Sequence, residues 1–126
     1  MPSVNKVTLI GNVGKDPEMR FTPNGKANTS FSVATNRRYT TSDGEKKEET
    51  EWFTVQAWGR LAELCNQYVK KGDIVYVEGG IHLRHWTAQD GVERYRMEIR
   101  AEKVEWSFNK HGSGAGEIDE EEDSPF

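Results

Sequence analysis

One short stretch of helical period, set among segments of strand period, limits this chain more than anything else in it. Between Arg60 and Lys71, Leu61, Leu64, Cys65 and Tyr68 recur at i, i+3, i+4 and i+7, with Glu63 near the start, Lys70 and Lys71 in the last turn and Gly72 placed as a cap. That spacing predicts one amphipathic helix of about three turns whose apolar stripe is core. The rest of the regular sequence alternates, so the helix must be an insertion in a β structure.

Before the helix, residues 4–13 predict a strand with Val7 and Leu9 on one face and a bend near Gly11 and Gly14. Asp16-Pro17 breaks it, a short extended piece covers 18–22, and Pro23-Asn24-Gly25 is turn chemistry. Residues 27–35 alternate Ala27, Thr29, Phe31 and Val33 against Asn28, Ser30 and Ser32, a half-buried strand. Arg37, Arg38 and Tyr39 stand at its far end, before a polar loop expected over 40–50 with Asp43-Gly44 near the middle. On this segment alone, gripping a polyanion and plain solvation are equally good readings.

The strand predicted over 51–59 has an ordinary face, Phe53, Val55 and Ala57, and an odd one, Trp52, Thr54, Gln56 and Trp58. Buried faces do not interleave two indoles with Thr and Gln, and solvated faces do not usually carry indoles. A stacking platform for something flat accounts for both. After the helix, residues 74–86 set Val75, Val77, Ile81 and Leu83 against Tyr76, Glu78, His82, Arg84 and Trp86, with Gly79-Gly80 where a curved sheet would bend. Asp90-Gly91 predicts a hairpin. The last strand, 94–106, sets Tyr95, Met97, Ile99 and Ala101 against Arg94, Arg96 and Arg100, and its parity changes toward Val104 and Trp106, which predicts a bulge near Ala101–Lys103 and a structural role for Trp106.

The order strand, strand, strand, helix, strand, strand is that of a five-stranded OB-fold barrel, an all-β class with one helix between its third and fourth strands, which binds oligonucleotides or oligosaccharides across one face. Trp52, Trp58 and Trp86 with Arg84, Arg94, Arg96, Arg37, Arg38 and Tyr39 supply aromatics separated by cations, the combination that single-stranded nucleic acid needs: each base offers a ring to stack, worth about 1–3 kcal/mol, and each phosphate a negative charge.

The net charge of −4 hides a partition. All 17 Lys and Arg lie between Lys6 and Lys110, against 15 acids, while Glu117, Asp119, Glu120, Glu121, Glu122 and Asp123 follow with no basic residue. The sequence therefore divides into a mildly basic domain, 1–109, and a Gly/Ser linker with an acidic tail expected to be disordered, 110–126. With 34% hydrophobic and 30% charged residues, no membrane-length apolar run and no leader-like N-terminus, a cytoplasmic, nucleoid-associated protein with no membrane association is expected. The single cysteine excludes an internal disulfide, the three scattered His offer no metal-ligand spacing, and neither a catalytic constellation nor a cofactor motif stands out, so no metal, cofactor or enzymatic activity is expected.

Val4-Asn5-Lys6-Val7, Leu9-Ile10-Gly11-Asn12-Val13-Gly14, Asp16-Pro17-Glu18, Phe21-Thr22-Pro23-Asn24-Gly25, Thr50-Glu51-Trp52, Gly59-Arg60-Leu61-Ala62-Glu63, Lys71-Gly72, Val77-Glu78-Gly79 and Arg84-His85-Trp86-Thr87 closely resemble the bacterial single-stranded DNA-binding proteins. The resemblance implies a homotetramer that coats single-stranded DNA without sequence preference. It further implies an acidic tip, Asp123-Ser124-Pro125-Phe126, that recruits proteins of replication, recombination and repair. Trp52 and Trp86 match stacking tryptophans of that family, Tyr39 falls where another aromatic is frequent, Trp58 stands where Phe is common, and Arg60, Lys71 and Arg84 match basic positions. The linker is shorter than is common there, and Ser124 replaces the usual Ile, removing apolar area before Pro125-Phe126. An OB module for RNA, or a specialised primosomal or plasmid-borne relative, is the alternative.

Overall fold

The computed structural model describes residues 2–107. In chain order the elements are β1 (Val7–Val13), β2 (Glu18–Phe21), β3 (Ala27–Thr40), β4 (Lys46–Trp58), α1 (Gly59–Tyr68), β5 (Ile74–Thr87) and β6 (Glu93–Ser107). Five long strands close a barrel: β1 pairs with β5, β5 with β6, β6 with β4, β4 with β3, and β3 returns to β1 through Asn12↔Ala34 and Val13↔Val33. The β4–β6 contact is parallel and short, Val55↔Ile99 and Gln56↔Arg100. The expected OB barrel is thus present, its single helix falling after the third long strand, with the short β2 added along β3. The acidic tail lies outside the described residues.

Alternation decides which residues fill the barrel. Phe31, Val33, Val55, Ala57, Val75, Val77 and Ile99 point inward with α1's Ala62 and Cys65 and with Val69. Thr29 is fully buried, and its hydroxyl donates to the Ala62 carbonyl at 2.6 Å, fastening the helix to β3 without an unsatisfied polar group. Gly11 and Gly79 permit close approach: a Cβ on Gly11 would lie 2.2 Å from the Ala34 carbonyl oxygen, and one on Gly79 would lie 2.1 Å from that of Arg100. The predicted bulge is where parity placed it. Glu78 pairs with Lys103 but Gly79 with Ala101, leaving Glu102 as the extra residue. The turns Thr22–Lys26, Thr41–Glu45 and Ala88–Val92 share one plan, in which the fourth residue, Gly25, Gly44 or Gly91, has positive φ and donates its N–H back to the first residue's carbonyl.

Three expectations are corrected. The polar stretch 40–50 is a loop only at its tip; β3 and β4 run on as a long antiparallel arm in which Arg37 faces Glu49, Arg38 faces Glu48 and Tyr39 faces Lys47. Those charges alternate across strands rather than along one, so opposite-charge pairing holds an arm that has no apolar face. The helix stops at Tyr68. Val69 takes extended angles (φ −82°, ψ 132°) and is fully buried, and filling the barrel end with an isopropyl group outweighs a last helical turn. Lys70 and Lys71 therefore lie beyond the helix, and Gly72 serves the next turn, its N–H donating to the Val13 carbonyl at 2.9 Å. Finally, Tyr68 is half exposed instead of core, its ring stacked on Trp106 at 5.6 Å, which gives Trp106 the structural role expected of it.

Cys65, buried under the helix, carries a testable consequence. Desolvation pushes its thiol from 9.0 up to about 11. A raised folded-state value means that the native state holds this proton more tightly. Its contribution to stability is complete below about pH 9 and is lost as pH rises toward about 11. Urea midpoints of the wild type should therefore fall over that window more steeply than those of Cys65→Ala; parallel profiles would show that the thiol is not desolvated.

Candidate nucleic-acid interface

The pleat of β4 turns Phe53, Val55 and Ala57 toward the barrel and Trp52, Thr54, Gln56 and Trp58 outward, as their alternation requires. Register then builds a continuous outer face. Gln56 lies beside Arg100 on β6, whose outward residues are Arg94, Arg96, Glu98 and Arg100. On β5, His82 pairs with Glu98, Arg84 with Arg96 and Trp86 with Arg94. One sheet face thus carries Trp52, Trp58 and Trp86 with Arg84, Arg94, Arg96 and Arg100.

Trp52 is 60% exposed and Trp86 39%, much more than indoles that serve as core. Trp52 is nonetheless held in place. A Cβ on Gly14 would come within 2.4 Å of its ring, so the indole rests directly on the β1–β2 connection, and a cavity of about 370 Å³ beside it is lined by Lys15 and Arg96 together with Asp16, Glu18, Ser30 and Thr54. The Arg84 guanidinium lies 5.5 Å from the Trp86 ring centre, and the Lys26 ammonium 5.2 Å from that of Trp58. A second cavity of about 320 Å³, between Trp58, Arg84, Arg100, Gln56 and His82, has Glu98 in its wall. Cations therefore sit within reach of the three rings, the spacing that alternating bases and phosphates require.

The remaining candidates lie elsewhere. Arg37 and Tyr39 share the opposite pleat of the β3–β4 arm, with the guanidinium 5.0 Å from the phenol ring, whereas Arg38 has the parity of Trp52. Arg37 and Arg38 are ion-paired to Glu49 and Glu48 at 3.7 and 3.6 Å. Arg60 is on α1, paired with Glu63 at 3.7 Å, and Lys71 follows the helix, its backbone N–H bonded to Asp16. Arg94 pairs with Asp90 at 3.0 Å. Exposed pairs of this kind contribute at most about 1 kcal/mol, so an incoming phosphate displaces the acid at little cost.

Sequence reading passed over Lys26, Arg100 and Glu98 as site residues. The last was visible as the one acid in Arg94-x-Arg96-x-Glu98-x-Arg100, all of one parity. Among the described residues no group of His, Cys, Asp and Glu is arranged to hold a metal, and no helix is long and apolar enough to cross a membrane.

A closed OB barrel with an aromatic and cationic outer face defines the class of oligomer-binding β-barrels, in which stacking and charge do the recognition. Within that class the chain belongs to the single-strand binding protein family, whose model matches residues 4–107. It is 41% identical over 114 residues to the single-stranded DNA-binding proteins of Neisseria meningitidis serogroups A and B, an alignment covering 90% of this chain and 66% of theirs. Its fold is similar to that of a Plasmodium falciparum protein solved as an SSB complex with ssDNA, with a TM-score of 0.76 and 30% identity over 84% of this chain and 95% of that one.

Proposed function

We propose that this chain binds single-stranded DNA without sequence preference, protecting it during replication, recombination and repair, and does so as a binding protein and not as an enzyme. The observation that carries this reading is the single face holding Trp52, Trp58 and Trp86 among Arg84, Arg94, Arg96 and Arg100, where indoles receive bases and guanidinium groups receive phosphates. A duplex hides its ring faces, and a sugar ligand does not need the arginines. Arg37, Arg38, Tyr39, Arg60 and Lys71 extend the contact where DNA passes beyond that face. A salt titration tests the reading: log K for oligo-dT should fall with log salt by roughly 0.7 per phosphate neutralised, and a salt-independent affinity would replace nucleic acid by a neutral oligomer.

Self-association to a homotetramer belongs to the same proposal. Ile81, Leu83, Tyr95 and Met97 share the pleat of the β5–β6 arm opposite the arginines and are exposed, an apolar strip that a second copy would cover. Light scattering at working concentration checks it, a monomer mass being the contrary result. Cytoplasmic, nucleoid-associated residence follows from the DNA ligand.

The acidic segment has two roles in this reading. Its six carboxylates compete for the cationic face, and Asp123, Ser124, Pro125 and Phe126 dock on partner proteins of DNA metabolism once DNA displaces them. Deleting residues 117–126 should tighten DNA binding several-fold at low salt, an effect that disappears at high salt. Unchanged affinity at low salt would remove the competition.

A further inference from the structure

Glu98 is a carboxylate on a face otherwise built to attract phosphate, and it is only 4% exposed. Its oxygen lies 3.7 Å from the Arg84 guanidinium and 3.5 Å from that of Arg96, and Gln56 donates to it at 3.4 Å. Asn28 in turn donates to Gln56 at 3.0 Å and to the Ala57 carbonyl at 3.1 Å. A polar chain thus crosses four adjacent strands, from Asn28 on β3 through Gln56 on β4 and Glu98 on β6 to Arg84 on β5, and Arg84 then lies against Trp86.

Register shows why an acid is needed. Arg84 and Arg96 are direct cross-strand partners, and like charges directly opposite each other repel. Without a shared counter-charge the two guanidinium groups would swing apart into solvent, and Arg84 would leave the Trp86 ring. The Glu98 carboxylate is sunk beneath them, where it holds both without competing from the surface. The outer sides of Arg84 and Arg96 stay half exposed and available to phosphate.

We infer that Glu98 is a positioning residue for DNA binding, which fixes Arg84 and Arg96 and, through Arg84, the stacking face of Trp86. The inference rests on the DNA-binding reading above. It makes a prediction opposite in sign to simple electrostatics, under which removing an acid from a DNA-facing surface strengthens binding.

Glu98→Gln keeps the shape and removes the charge. Its affinity for oligo-dT at fixed salt should fall about three- to tenfold although the face becomes more positive. In an Arg84→Ala/Arg96→Ala background, the same substitution should have almost no effect on affinity. That non-additivity separates positioning from general loosening of the barrel, which would weaken both backgrounds equally. Tighter or unchanged binding by Glu98→Gln, or an equal loss in the two backgrounds, overturns the inference. Should Glu98→Gln fail to fold, Glu98→Asp, which retains the charge but withdraws it from both guanidinium groups, carries the same pair of expectations. If the wild type does not bind oligo-dT at all, it is the DNA-binding reading that falls.

Discussion

Replacing Trp52 or Trp86 by alanine should weaken binding of oligo-dT by about 1–3 kcal/mol each, roughly 5- to 150-fold, with the double variant weaker than either. Both rings are exposed, and each is already oriented: Trp52 rests against Gly14, and Trp86 lies beneath Arg84. Little side-chain entropy remains to be lost when a base stacks, so most of the stacking energy appears as affinity. Trp58→Ala should cost less, because its ring is part-buried where those of Trp52 and Trp86 are exposed, leaving less of its face for a base. Trp106→Ala is the internal control. That ring stacks on Tyr68 beside the core, so its loss should lower stability and leave DNA affinity almost untouched. Equal losses at positions 52 and 106, measured by fluorescence anisotropy of labelled dT, would mean that the sheet face has no special role.

The largest effect on stability is expected at Gly79. An alanine there places its Cβ 2.1 Å from the Arg100 carbonyl oxygen and 3.0 Å from the Ala101 Cα, both backbone atoms of the partner strand at the bulge. Backbone in a closed barrel cannot step aside without opening the β5–β6 ladder, so Gly79→Ala should destabilise by about 3 kcal/mol or more. Gly80, the next residue, gives the comparison. Its added Cβ would approach nothing closer than the Asn5 carbonyl oxygen at 3.3 Å, a contact that a shift of a few tenths of an ångström relieves. A loss below about 1 kcal/mol is expected for Gly80→Ala. Urea midpoints for the two variants decide it, and equal shifts would contradict the close packing at the bulge.

Much of this was legible from two periods. The outward face of residues 51–59 follows from alternation alone, because an indole every sixth position with Thr and Gln between has no other pleat to occupy. The bulge at Glu102 was legible as a change of parity between Ala101 and Val104. The β3–β4 arm was not, since Arg37, Arg38, Lys46, Lys47, Glu48 and Glu49 have no apolar alternation, and their pairing exists only between strands. The helix end was missed for a different reason: burial of Val69 is a tertiary gain that helix propensity and capping signals do not contain. Glu98 sat in plain view among three arginines, yet its importance depends on the Arg84↔Arg96 register and on its depth, neither of which one strand's sequence reveals. The acidic tip lies outside the described residues; the sequence marks it by six acids ahead of Pro125-Phe126 and by its resemblance to the family's tip.

The most direct test of the sheet face is the protein's own tryptophan emission, titrated with oligo-dT and, separately, with a duplex of equal length. Stacking on Trp52 and Trp86 requires strong quenching that saturates with oligo-dT, is nearly absent with duplex, and is greatly reduced in Trp52→Ala/Trp86→Ala. Quenching and affinity that survive in the double variant, or a duplex that quenches as well as the single strand, would contradict it.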